Sequence, residues 1–325
     1  MGSLKFLSLI LSSINMAALV GFLRRIQDKN DNTLRQRRCL PRPRLFRDRL
    51  NPLELRTDDE LFERYRFRRP TIQFLFDTIG DRIEHPTKRS LALPAMVQLL
   101  VFLRFVATGA FQQLVGDAIH ISKATAGRCI RRVAFALTNI AGRFIQFPSG
   151  QDAINTQRMF HAVAGFPGVL GYVDGTFIRI QTPKENEPDY INRKGYHSLN
   201  VMMTCDANFI ITNCHDSRVF RESVLCQQFE NGQHNDILLG DSGYPCRTYL
   251  MTPYNNTNDV RYRERYNSAH CRTRVLIEQT YGILKRRFPC LSVCLRTKPE
   301  RACQYVVACV VLHNIGILRQ DIVSK

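Results

Sequence analysis

The 325-residue sequence contains no tryptophan, no Cys-x-x-Cys pair and neither of the phosphate-cradling patterns G-x-G-x-x-G and G-x-x-x-x-G-K-[ST]. The missing glycine patterns remove the main support for a dinucleotide- or nucleoside-triphosphate-binding fold. The eleven cysteines are scattered, and Cys290 and Cys294, the closest two, have no second pair at zinc-ligand spacing. They read as reduced, buried thiols of an intracellular protein. Acids are scarce: 28 Asp and Glu stand against 46 Lys and Arg, a formal charge of +18. Such an imbalance favours a polyanionic partner, because neutralised phosphates release condensed counterions, although an anionic membrane surface would attract the same charge. Beyond the N-terminus, no stretch is expected to reach the roughly 20 apolar residues of a membrane span.

What is present divides the chain into a basic arm (1–57), a helical region (58–150) and an α/β region (151–325). Phe6 to Phe22 are mostly apolar and follow Lys5, which mimics a signal peptide. Ser8, Ser12, Ser13 and Asn15 interrupt that run and Arg24-Arg25 closes it without a small-residue cleavage site, so neither secretion nor anchoring is expected. Translation from Met16 would leave these residues as the start of an amphipathic helix. Arg35 to Arg49 holds seven arginines and one acid, Asp48, with Pro41 and Pro43 breaking any helix. It reads as a nuclear-targeting stretch, a phosphate-contacting arm or a solvated linker.

From Asp58 to Glu84 the apolar spacing predicts two helical pieces split by Pro70. Pro94 opens a helix that stops near Gly109, and Phe111 to Ile119 forms a short one. Ser122 caps a longer helix from Lys123 to Leu137, completing a helix-turn-helix pattern. Lys123, Arg128, Arg131 and Arg132 lie on or near its outer face, where a recognition helix meets DNA, or they decorate a support domain. After Gly150 the period changes to strands at Val169 to Ile180, Leu199 to Cys205 and Phe209 to Cys214. A helix from Arg218 to Phe229, a short strand Ile237 to Gly240, another near Tyr249 to Thr252 and a long helix from about Asn267 to Phe288 follow. This order suits an α/β nuclease core better than a doubly wound dinucleotide fold.

Three acids fall in unusual places. Asp174 interrupts an apolar strand within Gly-Tyr-Val-Asp-Gly-Thr, and Asp241 follows directly on Ile237-Leu-Leu-Gly. A carboxylate where a strand leaves the core is costly unless protonated, hydrogen-bonded or neutralised by a cation. Oxygen ligands suit Mg²⁺ or Mn²⁺. Glu278 sits one residue off the stripe of Ile277, Tyr281, Leu284 and Phe288, with Arg274 and Lys285 on its own face as candidate phosphate contacts. An ordinary surface ion pair is the other reading of Arg274 and Glu278. Such a trio supports phosphodiester cleavage by metal ions. Lys184, Arg193, Lys194 and His197, after Asp174, are further candidate phosphate contacts or a solvated loop. His313, in an apolar helix from Tyr305 to Ile317, reads as a core histidine.

Six blocks in order resemble the PIF/Harbinger DDE transposases: Gly171-Tyr-Val-Asp-Gly-Thr, Asn192-Arg-Lys-Gly-Tyr-His-Ser-Leu-Asn, His215-Asp-Ser-Arg-Val-Phe, Leu239-Gly-Asp-Ser-Gly-Tyr-Pro, Thr273-Arg-Val-Leu-Ile-Glu-Gln-Thr-Tyr-Gly-Ile-Leu-Lys and Leu312-His-Asn. The resemblance spans about residues 58 to 316. It implies a ribonuclease H-like catalytic fold, a divalent metal (Mg²⁺ or Mn²⁺), nuclear DNA as substrate and a separate Myb-like DNA-binding partner. A nuclear protein, also in the cytoplasm, able to form homo-oligomers and with no membrane association, is the matching expectation. Asp174, Asp241 and Glu278 fall on the family's acidic triad, and Asp216 matches a fourth acid counted with the metal site. One departure is visible: Ile211-Thr-Asn-Cys214 runs straight into His215, where family members carry several more residues including a Pro-Gly turn. That shortening bears on Asp216 and on whether catalysis survives; the alternative is an inactive DNA-binding or scaffold protein.

Overall fold

The computed structural model describes residues 52–85, 92–216, 223–255 and 260–321, apart from the side chains of His215 and Asp216. Residues 1–51 of the basic arm, with its arginine-rich stretch, and the start of the helix expected from Arg218 lie outside the described residues. Helix α1 (Asp58–Tyr65) opens on a capping box, in which Thr57 Oγ1 accepts from the Glu60 amide and Glu60 accepts from that of Thr57. Helix α2 (Arg69–Ile83) carries Pro70 in its first turn, where a missing N–H costs nothing. The break expected at Pro70 therefore falls earlier, at Arg66, which ends α1 with a φ of 64°.

Helix α3 (Ala95–Thr108), short α4 (Gln112–Asp117) and α5 (Lys123–Thr138) fall close to the three helices expected there. Ser122 Oγ accepts from the Thr125 amide at 3.1 Å, as its capping position predicted. After α6 (Ala141–Phe144) comes α7 (Gly150–Ala164), a helix the change of period did not announce. Only Thr156 and Phe160 of its fifteen residues are buried, so no apolar stripe marks it.

The sheet comprises β1 (Val169–Arg179), β2 (Ser198–Cys205), β3 (Ile211–Asp216), β4 (Ile237–Gly240) and β5 (Leu250–Met251) in the order β3-β2-β1-β4-β5. The first three are antiparallel neighbours, whereas β4 runs parallel to β1 and β5 parallel to β4. Short α8 (Val224–Glu230) lies between β3 and β4, and two long helices, α9 (Arg261–Arg287) and α10 (Pro299–Leu318), close the chain.

Period-two alternation assigns the two faces. Val173, Met202, Leu238 and Leu250 pack with Leu225, Cys226 and Phe229 of α8. Tyr172, Met203 and Leu239 belong to the larger core under α9 and α10, which continues without a break through Phe102 and Val133 of the helical region. Contrary to the expectation of no further apolar span, α10 is long and apolar enough to cross a membrane by length and composition. In this fold 67% of its most apolar window is buried, as befits a core helix. Asn314 ties it to the sheet by accepting from the Ile211 amide at 2.9 Å and donating to the Ile211 and Phe144 carbonyls, each at 2.8 Å.

Candidate active site

The parallel ladder between β1 and β4 ends with Val173 opposite Gly240. The next residue on each strand is an aspartate, so Asp174 and Asp241 stand beside each other where β4 stops and β1 runs on. A Cβ at Gly240 would lie 3.1 Å from the Tyr244 ring and 3.2 Å from Leu250, so both side chains pack closely over the end of β4. Asp241 Oδ1 then accepts from the Gly243 amide at 3.0 Å, turning the chain away from the sheet. Asp174 Oδ1 accepts from the Gly175 amide at 2.7 Å.

Helix α9 crosses the same face. Tyr172, Asp174 and Thr176, two apart on β1, all meet it: His270 lies against the Tyr172 ring, Tyr281 Oη donates to the Asp174 carbonyl at 2.5 Å, and Lys285 Nζ donates to Thr176 Oγ1 at 2.7 Å. Glu278 pairs with Arg274 at 3.1 Å, both side chains about half exposed. The three acids share one electrostatic neighbourhood. Burial raises the Asp174 pKa first, the Gly175 amide opposes this, and Asp241 and Glu278 raise it further against Arg274. Tyr172, fully buried, feels the same four charges, and its hydroxyl has no hydrogen-bond partner among the described residues. Among the described residues, no three His, Cys, Asp or Glu side chains stand close enough to hold a metal ion as they are.

The remaining candidates separate. Burial, then the nearby Lys194 charge, lowers the Lys285 pKa, so these two lysines share the rim beyond Asp174. Arg193 lies over the Phe177 ring at 5.9 Å, while Lys184 is exposed. His197 pairs with Glu187 at 3.0 Å. On α5, Lys123 and Arg128 are exposed, Arg131 is half-buried, and Arg132 donates to Gln98 Oε1 at 2.9 Å, which anchors α5 on α3. The Asp216 backbone pairs with Val201, two strands from β1; its side chain lies outside the described residues. His313 is fully buried and held by the Phe209 carbonyl at 2.8 Å, in keeping with its reading as a core residue. Sequence reasoning missed Tyr172, His270 and the attachment of Tyr281; the period-two spacing of Tyr172, Asp174 and Thr176 was the available signal.

These positions coincide with known relationships. Residues 173–314, from the position before Asp174 to Asn314, match the family described as DDE superfamily endonuclease. That defines the class. The candidate nuclease HARBI1 of Homo sapiens is 40% identical over 80% of this chain and 78% of its own length. Its Xenopus laevis counterpart is 37% identical over 83% and 81%, and the Protein ALP1-like of Arabidopsis thaliana 21% identical over 69% and 61%. No solved structure matches the chain. The chain belongs to the Harbinger transposase-derived family of nucleases.

Proposed function

We propose that the chain is a divalent-metal-dependent DNA endonuclease with a ribonuclease H-like catalytic core. The observation that carries this reading is the register that sets Asp174 and Asp241 side by side at the end of β4, under the helix that bears Glu278. Three antiparallel strands followed by two strands parallel to the first support the core assignment.

The donor set fits a hard cation in its chemistry, being all oxygen, and Asp174 and Asp241 are the pair that would hold it. Asp174 binds its proton more tightly because burial and two neighbouring acids disfavour its charge, a crowding that a cation relieves. Glu278 would join them on leaving Arg274, and Asp216 is the fourth candidate. When bound, such metal ions lower the pKa of attacking water and neutralise charge on the leaving oxygen. The chain's own part is to fix Asp174 through Tyr281 and to offer Arg274, Lys285 and Lys194 to phosphate oxygens. With Arg132 committed to Gln98, α5 offers one cation fewer to DNA than its sequence suggests, and reliance on a separate Myb-like partner for site choice belongs to the same proposal. Nuclear residence, with a cytoplasmic fraction, and self-association belong to the same proposal.

A catalytically silent DNA-binding scaffold is the second reading. It is favoured by the Arg274–Glu278 pair, which engages the third acid, and by the shortened segment before His215. Nicking of supercoiled plasmid in Mg²⁺ or Mn²⁺ separates the two. Asp174→Asn and Glu278→Gln should each lower nicking by about a thousandfold or more, since a lost ligand removes several kcal/mol of charge stabilisation. Asp216→Asn should have a smaller effect. Equal activity in wild type and Asp174→Asn would make the cleavage a contaminant and favour the scaffold.

A further inference from the structure

Helix α9 presents a second face on the flank away from Glu278. At about 100° per residue, Arg265 and Arg274 lie on opposite sides of the helix, whereas Tyr262, Arg265, Ala269 and Arg272 share one side. That side forms a groove of about 660 Å³ with Ala164 and Gly165 at the end of α7. Small residues, two tyrosines and two arginines line it.

Tyr262 is 61% exposed, an unusual state for a tyrosine next to a groove. Arg263 sits between two rings, 5.3 Å from that of Tyr254 and 5.8 Å from that of Tyr262, and Tyr254 meets Tyr266 edge-on at 5.2 Å. Arg265 and Arg272 are exposed, and no carboxylate among the described residues pairs with either. Glu264 is the one acid lining the groove. Two guanidiniums with no carboxylate partner among the described residues, beside a tyrosine ring that stays largely exposed although Arg263 meets it, match a ligand that offers phosphates and a free π-face together. An unpaired nucleotide does so; a duplex hides its base faces in the stack.

We propose that this groove binds an unpaired nucleotide of a DNA strand, its base stacked on Tyr262 and the flanking phosphates held by Arg265 and Arg272. The inference rests on reading nucleic acid as the substrate, and adds a holding site on the flank of α9 opposite Glu278. Exposed DNA ends or a displaced strand supply such nucleotides during cleavage.

Anisotropy of a labelled single-stranded oligothymidylate and of a labelled duplex, with the full chain in EDTA, tests it. Tyr262→Ala should weaken single-strand binding about tenfold, within the range for loss of one stacked base, and leave duplex binding nearly unchanged. Tyr262→Phe should bind like wild type. Arg265→Ala and Arg272→Ala should each flatten the single-strand salt dependence by about 0.7 in log–log slope. Tyr262 is exposed, so thermal unfolding of its variants should match wild type. Unchanged single-strand affinity in Tyr262→Ala, or an equal loss for duplex, overturns the proposal, as does a wild type that does not bind the oligothymidylate. The assay involves no cleavage: a chain that shows these shifts yet never nicks plasmid refutes the nuclease reading and leaves the groove standing.

Discussion

Tyr281 is one point where the covering helix grips the strand that carries Asp174, and Tyr281→Phe removes that hydrogen bond alone. The ring is 9% exposed and stays in place in the variant, while the 2.5 Å bond from its hydroxyl to the Asp174 carbonyl is lost. A typical net hydrogen bond contributes about 1 kcal/mol, and a buried acceptor left unpaired costs about 1–3 kcal/mol. A loss near 1.5 kcal/mol is the expected outcome, about tenfold in the folding constant. In a domain of this size that is a fall of a few degrees, roughly 3–6 °C, in Tm. Urea unfolding followed by circular dichroism measures the free-energy loss, and a thermal melt the fall in Tm. Because the lost bond ends on the residue that bears the carboxylate, nicking should fall by more than the folded fraction does, about tenfold at a temperature where the variant is fully folded. A Tyr281→Phe protein with wild-type Tm and wild-type nicking would refute the claim that this bond positions Asp174.

Three further outcomes are expected. Burial first, and then Asp241 and Glu278, raise the Asp174 pKa, so the folded state loses stability as pH climbs above the carboxylate's ordinary 3.8. Asp174→Asn should therefore raise the Tm of the metal-free protein at neutral pH, and a lower Tm would contradict the crowding. Burial lowers the His313 pKa from 6.5 to about 4, so its contribution is present above 6.5 and lost as pH falls towards 4. Wild type should lose more stability across that window than His313→Gln, by urea unfolding at each pH; parallel curves would count against it. In Gly171→Ala the new Cβ would lie 2.5 Å from Thr204 Cγ2 and 3.2 Å from the Cys205 carbonyl, forcing β1 from β2 at about 1–3 kcal/mol. Adding Thr204→Ser should recover part of that loss, and a double variant no more stable than Gly171→Ala would place the strain elsewhere.

The strands were legible because apolar, β-branched runs are rare outside buried strands; Ile237 to Gly240 matches its expected bounds at both ends. Helix α9 begins six residues before the expected Asn267, because its first half buries only His270 and Thr273 and offers no apolar stripe to read. Helix α7 escaped notice for the same reason. Asp174 and Asp241 stood out as single charges in apolar company. Register, which makes them neighbours, is a property of two strands and not of either alone. The commitment of Arg132 to Gln98 depends on another helix in the same way, so the four cations of α5 looked equivalent in the sequence. The grip of Lys285 on Thr176 was equally hidden, since it needs β1 and α9 packed together.

Direct Mn²⁺ binding tests the proposal that Asp174 and Asp241 form the cation-binding pair of a nuclease site. Free Mn²⁺, followed by its paramagnetic resonance during titration of the metal-free protein, reports the sites without requiring cleavage. Wild type should take up Mn²⁺ in competition with Mg²⁺. Asp174→Asn and Asp241→Asn should each abolish that uptake, with Glu278→Gln weakening it. Undiminished Mn²⁺ binding in the Asp174→Asn, Asp241→Asn double variant would contradict the account.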